Sequence, residues 1–210
     1  MNLYNLPEFE NRMSVRVLKK NTILRFPEMQ KKYVYFLKEG FMKIAATNGE
    51  GKEVIKYLVK PGNLFGEIAL LDEDENPEDY AVALDEAVVN FVEAEKMKQW
   101  MNANHDLRAE VNKQIGKRLK NAENRLLSMI FTDANTRICN FIYEFTRDFG
   151  KTTEHGYEVK NFLIHDDIAK LTATSRQTVS SVLNELRLEK MIEYNNEILK
   201  IPFSSKLSGL

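Results

Sequence analysis

At Asn104 the apolar residues change period, and that change constrains this 210-residue chain more than any other feature. Beyond it Leu107, Val111, Ile115, Leu119, Ala122, Leu126, Met129 and Ile130 recur every three or four positions, the pattern of one long amphipathic helix. Before it, five of the nine glycines fall between Gly40 and Gly66 and cut the sequence into short β-rich runs at 22–26, 33–37, 41–46 and 54–59, with another at 87–92. Short strands at this spacing predict an antiparallel, jelly-roll-like β-roll, and NGEG at 48–51 supplies the positive φ angles of a hairpin loop. A helical period cannot double as a strand, so the fold class is α+β with the sheet first.

Three segments follow: a β-roll at 1–104, the long helix at 105–132, and a smaller helical domain at 133–210. The helix is the basic part of the chain, with a net charge of +3, against −3 for the segment before it and −1 for the segment after. Its apolar stripe needs a partner, which is either the roll it follows or the same helix of a second subunit in a coiled-coil-like seam that includes Ile115 and Leu126. Thr132 or Asp133 can then cap another helix that buries Ile138, Phe141, Ile142 and Phe145 and ends at Gly150.

The sharpest local signal is HDDIAKLTATSRQTVSSVLNELRLEKMI. One helix is expected at about 166–171 and a second at about 175–188, with Thr172, Ala173 and Thr174 as the turn between them. Ile168, Leu171, Val179, Val182, Leu183 and Leu186 form the shared core, and Ala169 lets the two helices approach. Ser175 is then an N-cap, and Arg176, Gln177, Ser180, Ser181 and Asn184 fall on the open face of the second helix. Arg pairs with guanine and Gln with adenine through two hydrogen bonds, so the first turn is equipped to read base edges in a major groove. The strands expected on either side of Asn195 and Asn196 complete a winged helix. Lys170, Thr178, Arg187 and Lys200 are its candidate phosphate contacts.

Composition narrows the remaining choices. Thirty basic and thirty-one acidic side chains leave a net charge of −1, so any pull on nucleic acid has to be local. The single cysteine, Cys139, has no disulfide partner within the chain and fits a reducing cytoplasm. Residues 1–104 contain neither His nor Cys, so no zinc, iron-sulfur or other metal site is expected there and no cofactor is implied. No phosphate-binding loop or nucleophile elbow occurs, so the chain does not read as an enzyme. No apolar run has the length of a membrane span or a signal peptide.

Two motifs, PGNLFGEIALL at 61–71 and TSRQTVSSVLNEL at 174–186, resemble the cyclic-nucleotide cassette and the recognition helix of the Crp/Fnr family of bacterial transcription regulators. The order of segments also resembles that family across nearly the whole chain. The resemblance implies a homodimer on double-stranded DNA at a palindromic operator, acting on RNA polymerase. On it, Ser175, Arg176, Gln177, Thr178, Ser180, Ser181 and Lys200 are the candidate DNA contacts. Phe65, Gly66, Glu67, Ile68, Ala69 and Glu123 are the candidate effector pocket.

The departures from the family's pattern bear on the effector. Where cyclic-AMP-binding members carry an Arg followed by Ser or Thr for the phosphate, this chain has DEDENPEDYA at 72–81. No Arg or Lys occurs between Lys60 and Lys96. Six of the eight residues 72–79 are acidic, which should repel a cyclic phosphate, so the expectation is a regulator that does not bind cyclic AMP. Lys43, Lys56 and Arg125 are the candidates for a cation reaching in from elsewhere. Glu67 either binds a polar ligand or caps backbone amides of the cassette. Ala173 replaces the usual turn glycine, and Ile164 a common capping Thr. The alternative function is a ligand-sensing module whose winged helix contacts protein rather than DNA.

Overall fold

The computed structural model describes residues 12–25, 32–71, 79–195 and 197–209, in two compact units that divide between Glu123 and Asn124. The first unit holds eight described strands: β1 (Ser14–Leu18), β2 (Ile23–Arg25), β3 (Tyr33–Glu39), β4 (Met42–Thr47), β5 (Glu53–Val59), β6 (Leu64–Phe65), β7 (Asp79–Ala83) and β8 (Ala87–Glu93). They form two antiparallel sheets, ordered β1-β8-β3-β6 and β2-β7-β4-β5. The NGEG loop joins β4 to β5 with Gly51 at φ +80°.

Tyr35 and Leu37 of β3, Met42 and Ile44 of β4, Phe65 and Val89 belong to a core cluster supplied by both sheets. The alternate residues of β3, Val34 and Phe36, face the other way and are equally buried, because helix α1 (Ala94–Ala103) and the start of helix α2 (His105–Phe131) cover that side. Both faces of β3 are therefore dry, which is why it reads as a continuous apolar run. Trp100, the only tryptophan, is buried in this outer cluster with Met97, Leu107 and Val111.

The stripe on α2 has two fates. Leu107 and Val111 are buried against the roll, and Ile115 packs half-buried beside them. Leu119, Leu126, Leu127, Met129, Ile130 and Phe131 are exposed. The division between the two compact units falls inside this helix.

The second unit contains α3 (Ala134–Phe149), α4 (His165–Thr172) and α5 (Arg176–Leu188), with a sheet ordered β11 (Glu193–Tyr194), β12 (Ile198–Pro202), β10 (Gly156–Lys160) and β9 (Lys151–Thr152). Asp133 caps α3 by accepting the Thr136 N–H at 2.8 Å, and Ile138, Ile142 and Phe145 are buried beneath it. Ile168, Leu171, Val179, Val182, Leu183 and Leu186 are all buried, as the sequence requires. Each such side chain contributes roughly 1.5–3 kcal/mol by leaving water.

Candidate nucleic-acid interface and sensor pocket

The turn between α4 and α5 is made by a non-glycine residue in the left-handed region, Ala173 at φ +51°. Two arginines hold the carbonyls at this helix end. Arg137 of α3 donates to Thr172 O at 2.9 Å and to Ala173 O at 3.3 Å, and Arg125 of α2 donates to Lys170 O at 2.9 Å. Cationic donors at a helix C-terminus satisfy carbonyls that have no partner within the helix. Burial pushes the Arg125 guanidinium below its ordinary value. At the start of α4, the Ile164 N–H donates to Asp167 Oδ2 at 3.4 Å, which is half of a capping box, because Ile164 has no side-chain acceptor to return.

Ser175 is the N-cap of α5 and accepts the Thr178 N–H at 3.0 Å, while its hydroxyl lies 2.8 Å from that of Thr178. Ser175 and Thr178 therefore secure the helix start. Arg176, Gln177, Ser181 and Asn184 are exposed along one face of α5. Ser180 is turned inward: its hydroxyl donates to Arg176 O at 3.0 Å and lies 2.8 Å from His165 Nδ1. The other ring nitrogen of His165, Nε2, is 3.1 Å from the Tyr194 hydroxyl on β11. Burial, with a smaller contribution from the charge of Arg176, holds the His165 imidazole below its ordinary pKa.

In the hairpin, Asn195 Oδ1 accepts from the N–H groups of Glu197 and Ile198, both at 2.8 Å; Asn196 lies outside the described residues. Lys200 on β12 is half-exposed, with Glu158 at 3.6 Å and Glu193 at 3.7 Å, so any phosphate it meets competes with two carboxylates. Lys170 is likewise paired with Asp166 at 2.7 Å, and Arg187 donates to Asn184 at 3.1 Å.

The cassette of the first unit centres on Glu67, which opens a short 3-10 turn (Glu67–Leu70) just after Gly66. Gly66 has φ +74°, and a Cβ there would sit 3.0 Å from Tyr33 O, so no other residue fits without strain. Phe65 is buried and stacked on Tyr35 at 5.1 Å, Ala69 is buried, and Ile68 is partly exposed. Glu67 neither caps amides nor opens to solvent: its Oε1 is ion-paired with Arg118 of α2.

Arg118 also donates to Leu64 O at 2.5 Å and to the Tyr57 hydroxyl at 3.1 Å, and its guanidinium lies over the Tyr57 ring at 4.1 Å. One turn earlier, Gln114 accepts from the Leu64 N–H at 3.0 Å and donates to Gly62 O at 3.1 Å. Burial, then the nearby charge of Glu67, pushes the Tyr57 phenol well above its usual range. The second oxygen of Glu67, Oε2, is buried with no partner among the described residues.

The cations considered from sequence go elsewhere. Lys43 pairs with Glu53 at 3.2 Å, Lys56 with Asp79 at 2.5 Å, and Arg125 holds the end of α4. Glu123 is exposed on α2, five residues past Arg118. Residues 72–78 of the acidic stretch lie outside the described residues. Among the described residues no group of His, Cys, Asp and Glu could hold a metal ion, and no helix is long and apolar enough to cross a membrane.

Comparison with known proteins agrees with this division of labour. Residues 15–104 match the cyclic nucleotide-binding domain family and residues 136–208 the Crp-like helix-turn-helix domain family. A global nitrogen regulator of Nostoc sp. is 26% identical over 188 residues, covering 89% of this chain and 84% of the relative. A CRP-like cAMP-activated global transcriptional regulator of Mycobacterium tuberculosis is 22% identical over 175 residues, covering 83% and 78%. Among solved structures, a mutant of CooA from Carboxydothermus hydrogenoformans superposes with a TM-score of 0.80 at 20% identity, covering 99% of this chain and 94% of that one.

Proposed function

Because this chain belongs to the Crp/Fnr family of transcription regulators, we propose that it reads an inverted-repeat operator as a homodimer, with Arg176 and Gln177 of α5 supplying the sequence specificity. The observation that carries this reading is the first turn of α5, where both side chains stand exposed on a helix fixed by the Ser175 cap and a buried core. Ser181 and Asn184 extend the same face, while Ser175, Thr178 and Ser180 position the helix. Two such helices must be held about 34 Å apart to meet successive major grooves. The exposed Leu119, Leu126 and Met129, with Ala122 between, follow the three- and four-residue steps of a coiled-coil seam that would hold them there. The work is cytoplasmic, and its consequence passes to RNA polymerase.

The effector of this chain is not cyclic AMP, although one relative is named for activation by it. What supports this is the state of the pocket: the guanidinium nearest Glu67 is already bonded to Glu67, Leu64 O and Tyr57, and no Arg or Lys follows in the cassette before Lys96. The test of the DNA reading is a mobility-shift assay with a duplex recovered by the protein from a random-sequence pool. Arg176→Ala should weaken that duplex by about 1–3 kcal/mol while leaving binding to unrelated DNA nearly unchanged. Equal loss on both would reassign Arg176 to the phosphate backbone.

A further inference from the structure

We propose that His165 is the positioning residue that ties the recognition helix to the wing, and that it takes up a proton when the domain engages DNA. This rests on the DNA reading above. Three elements meet at this one ring: α4, which carries it; α5, through Ser180 at 2.8 Å; and β11, through Tyr194 at 3.1 Å. The protons can be assigned from the partners. The Ser180 hydroxyl gives its only hydrogen to Arg176 O, so its oxygen accepts from His165 Nδ1–H. Nε2 then carries the lone pair and accepts from the Tyr194 hydroxyl.

Protonation of Nε2 would make it a donor. The contact with Tyr194 survives only if the phenol turns its hydrogen outward, where it can meet a phosphate oxygen. The Nδ1 contact with Ser180 is indifferent to the change. One added proton thus leaves the recognition helix in place and converts the wing tyrosine into an outward donor.

The surrounding charges set the direction. On α5, Arg176 faces the ring and opposes a second positive charge, and burial does the same. On α4 itself, Asp166 is paired with Lys170 at 2.7 Å and Asp167 accepts from the Ile164 N–H, so neither carboxylate is turned over to the imidazole. On β11, Glu193, beside Tyr194, lies 3.7 Å from Lys200. The free domain accordingly favours the neutral ring. Duplex DNA brings a row of negative phosphates to the face that carries Arg176 and so reverses the balance.

The test uses the full-length protein and the duplex recovered from the random pool, at constant ionic strength. Wild-type affinity should tighten by about 3- to 10-fold from pH 8.0 to pH 6.0, since a one-unit rise in the pKa of a single group gives at most tenfold. His165→Asn places an amide donor where Nδ1–H stands and cannot titrate. It should fold, bind, and change by less than about 2-fold over the same range, while it retains His105 and His155 and thereby subtracts their titration.

In parallel, the His165 Cε1 resonance of the wild-type protein should show a higher midpoint with duplex than without, a readout that needs no variant. A midpoint unchanged or lowered by duplex, or an Asn variant with the wild-type pH slope, overturns the proposal. Failure of the random pool to yield any duplex overturns the DNA reading on which it stands, and is distinguished from the other failures by the absence of a shifted band.

Discussion

Replacing Arg118 with Met keeps most of the side-chain volume and removes the cation bonded to Glu67. Side-chain exposure is 19% for Arg118 and 13% for Glu67, so solvent only partly screens the pair. Truncating one partner of a buried ion pair costs about 3–5 kcal/mol, and the residual exposure brings the expectation for Arg118→Met to about 3 kcal/mol. The same substitution strips Leu64 O of a donor and Tyr57 of a cation over its ring, effects already within that figure because they share one guanidinium.

Glu67→Gln alone should cost about 2 kcal/mol, since Arg118 keeps its other two acceptors. The double variant leaves no unpaired charge and should cost about 3 kcal/mol, which makes the coupling between the positions about 2 kcal/mol. Trp100 is the sole tryptophan and is buried in the same unit, so urea unfolding followed by its fluorescence reports this unit alone. Single-variant effects that add to within about 0.5 kcal/mol would refute the view that the two side chains act as one closed pair. With the coupling confirmed, an anionic effector that must displace Glu67 from Arg118 binds about 30-fold more weakly than it would to a vacant guanidinium.

Cyclic AMP and cyclic GMP should give no heat of binding in isothermal titration, with or without magnesium; the missing phosphate donor costs one to two decades of affinity at roughly 1.5–3 kcal/mol, and micromolar binding in metal-free buffer would sink the claim. Ala173→Gly should stabilise the second unit by about 0.5–1 kcal/mol, the cost of roughly 1–2 kcal/mol for a left-handed alanine less the extra unfolded-state freedom of glycine. In calorimetry that is a rise of about 3–6 °C in its transition, and a fall would show that the turn is not strained. Leu126→Glu, at a side chain 59% exposed, should leave each chain folded and halve the mass seen by light scattering. A dimer of unchanged mass would remove that face from the interface.

The helix-turn-helix was legible because its rules are local: a serine cap, a three-residue turn and two apolar faces with fixed spacing lie within thirty residues. What was illegible depended on distant neighbours. Helix α1 hid in the expected roll because its buried set, Ala94, Met97 and Trp100, is short and interleaved with charge. Strand β7 is alanine-rich and begins at Asp79, the last residue of the acidic stretch, so its strand propensity is weak. The cation that meets Glu67 is Arg118 and not Lys43, Lys56 or Arg125, and its position carries a signal. Counting from Leu107 by fours and threes through Val111 and Gln114 arrives at Arg118, which places a glutamine and an arginine on the face that packs against the roll. Polar side chains on the dry face of a helix are there to reach polar groups, and these two find the Gly62–Leu64 backbone and Glu67.

That arrangement gives α2 the mechanics of an axle. Gln114 and Arg118 are one turn apart and engage the cassette as adjacent teeth, while Leu119, the very next residue, projects about 100° around the shaft. A rigid helix cannot turn at one position and stay still at the next. With side chains reaching about 5 Å from the axis, a rotation of roughly 20° at Arg118 carries the tip of Leu119 sideways by about 2 Å. A change at position 118 that rotates the helix therefore moves Leu119 with it.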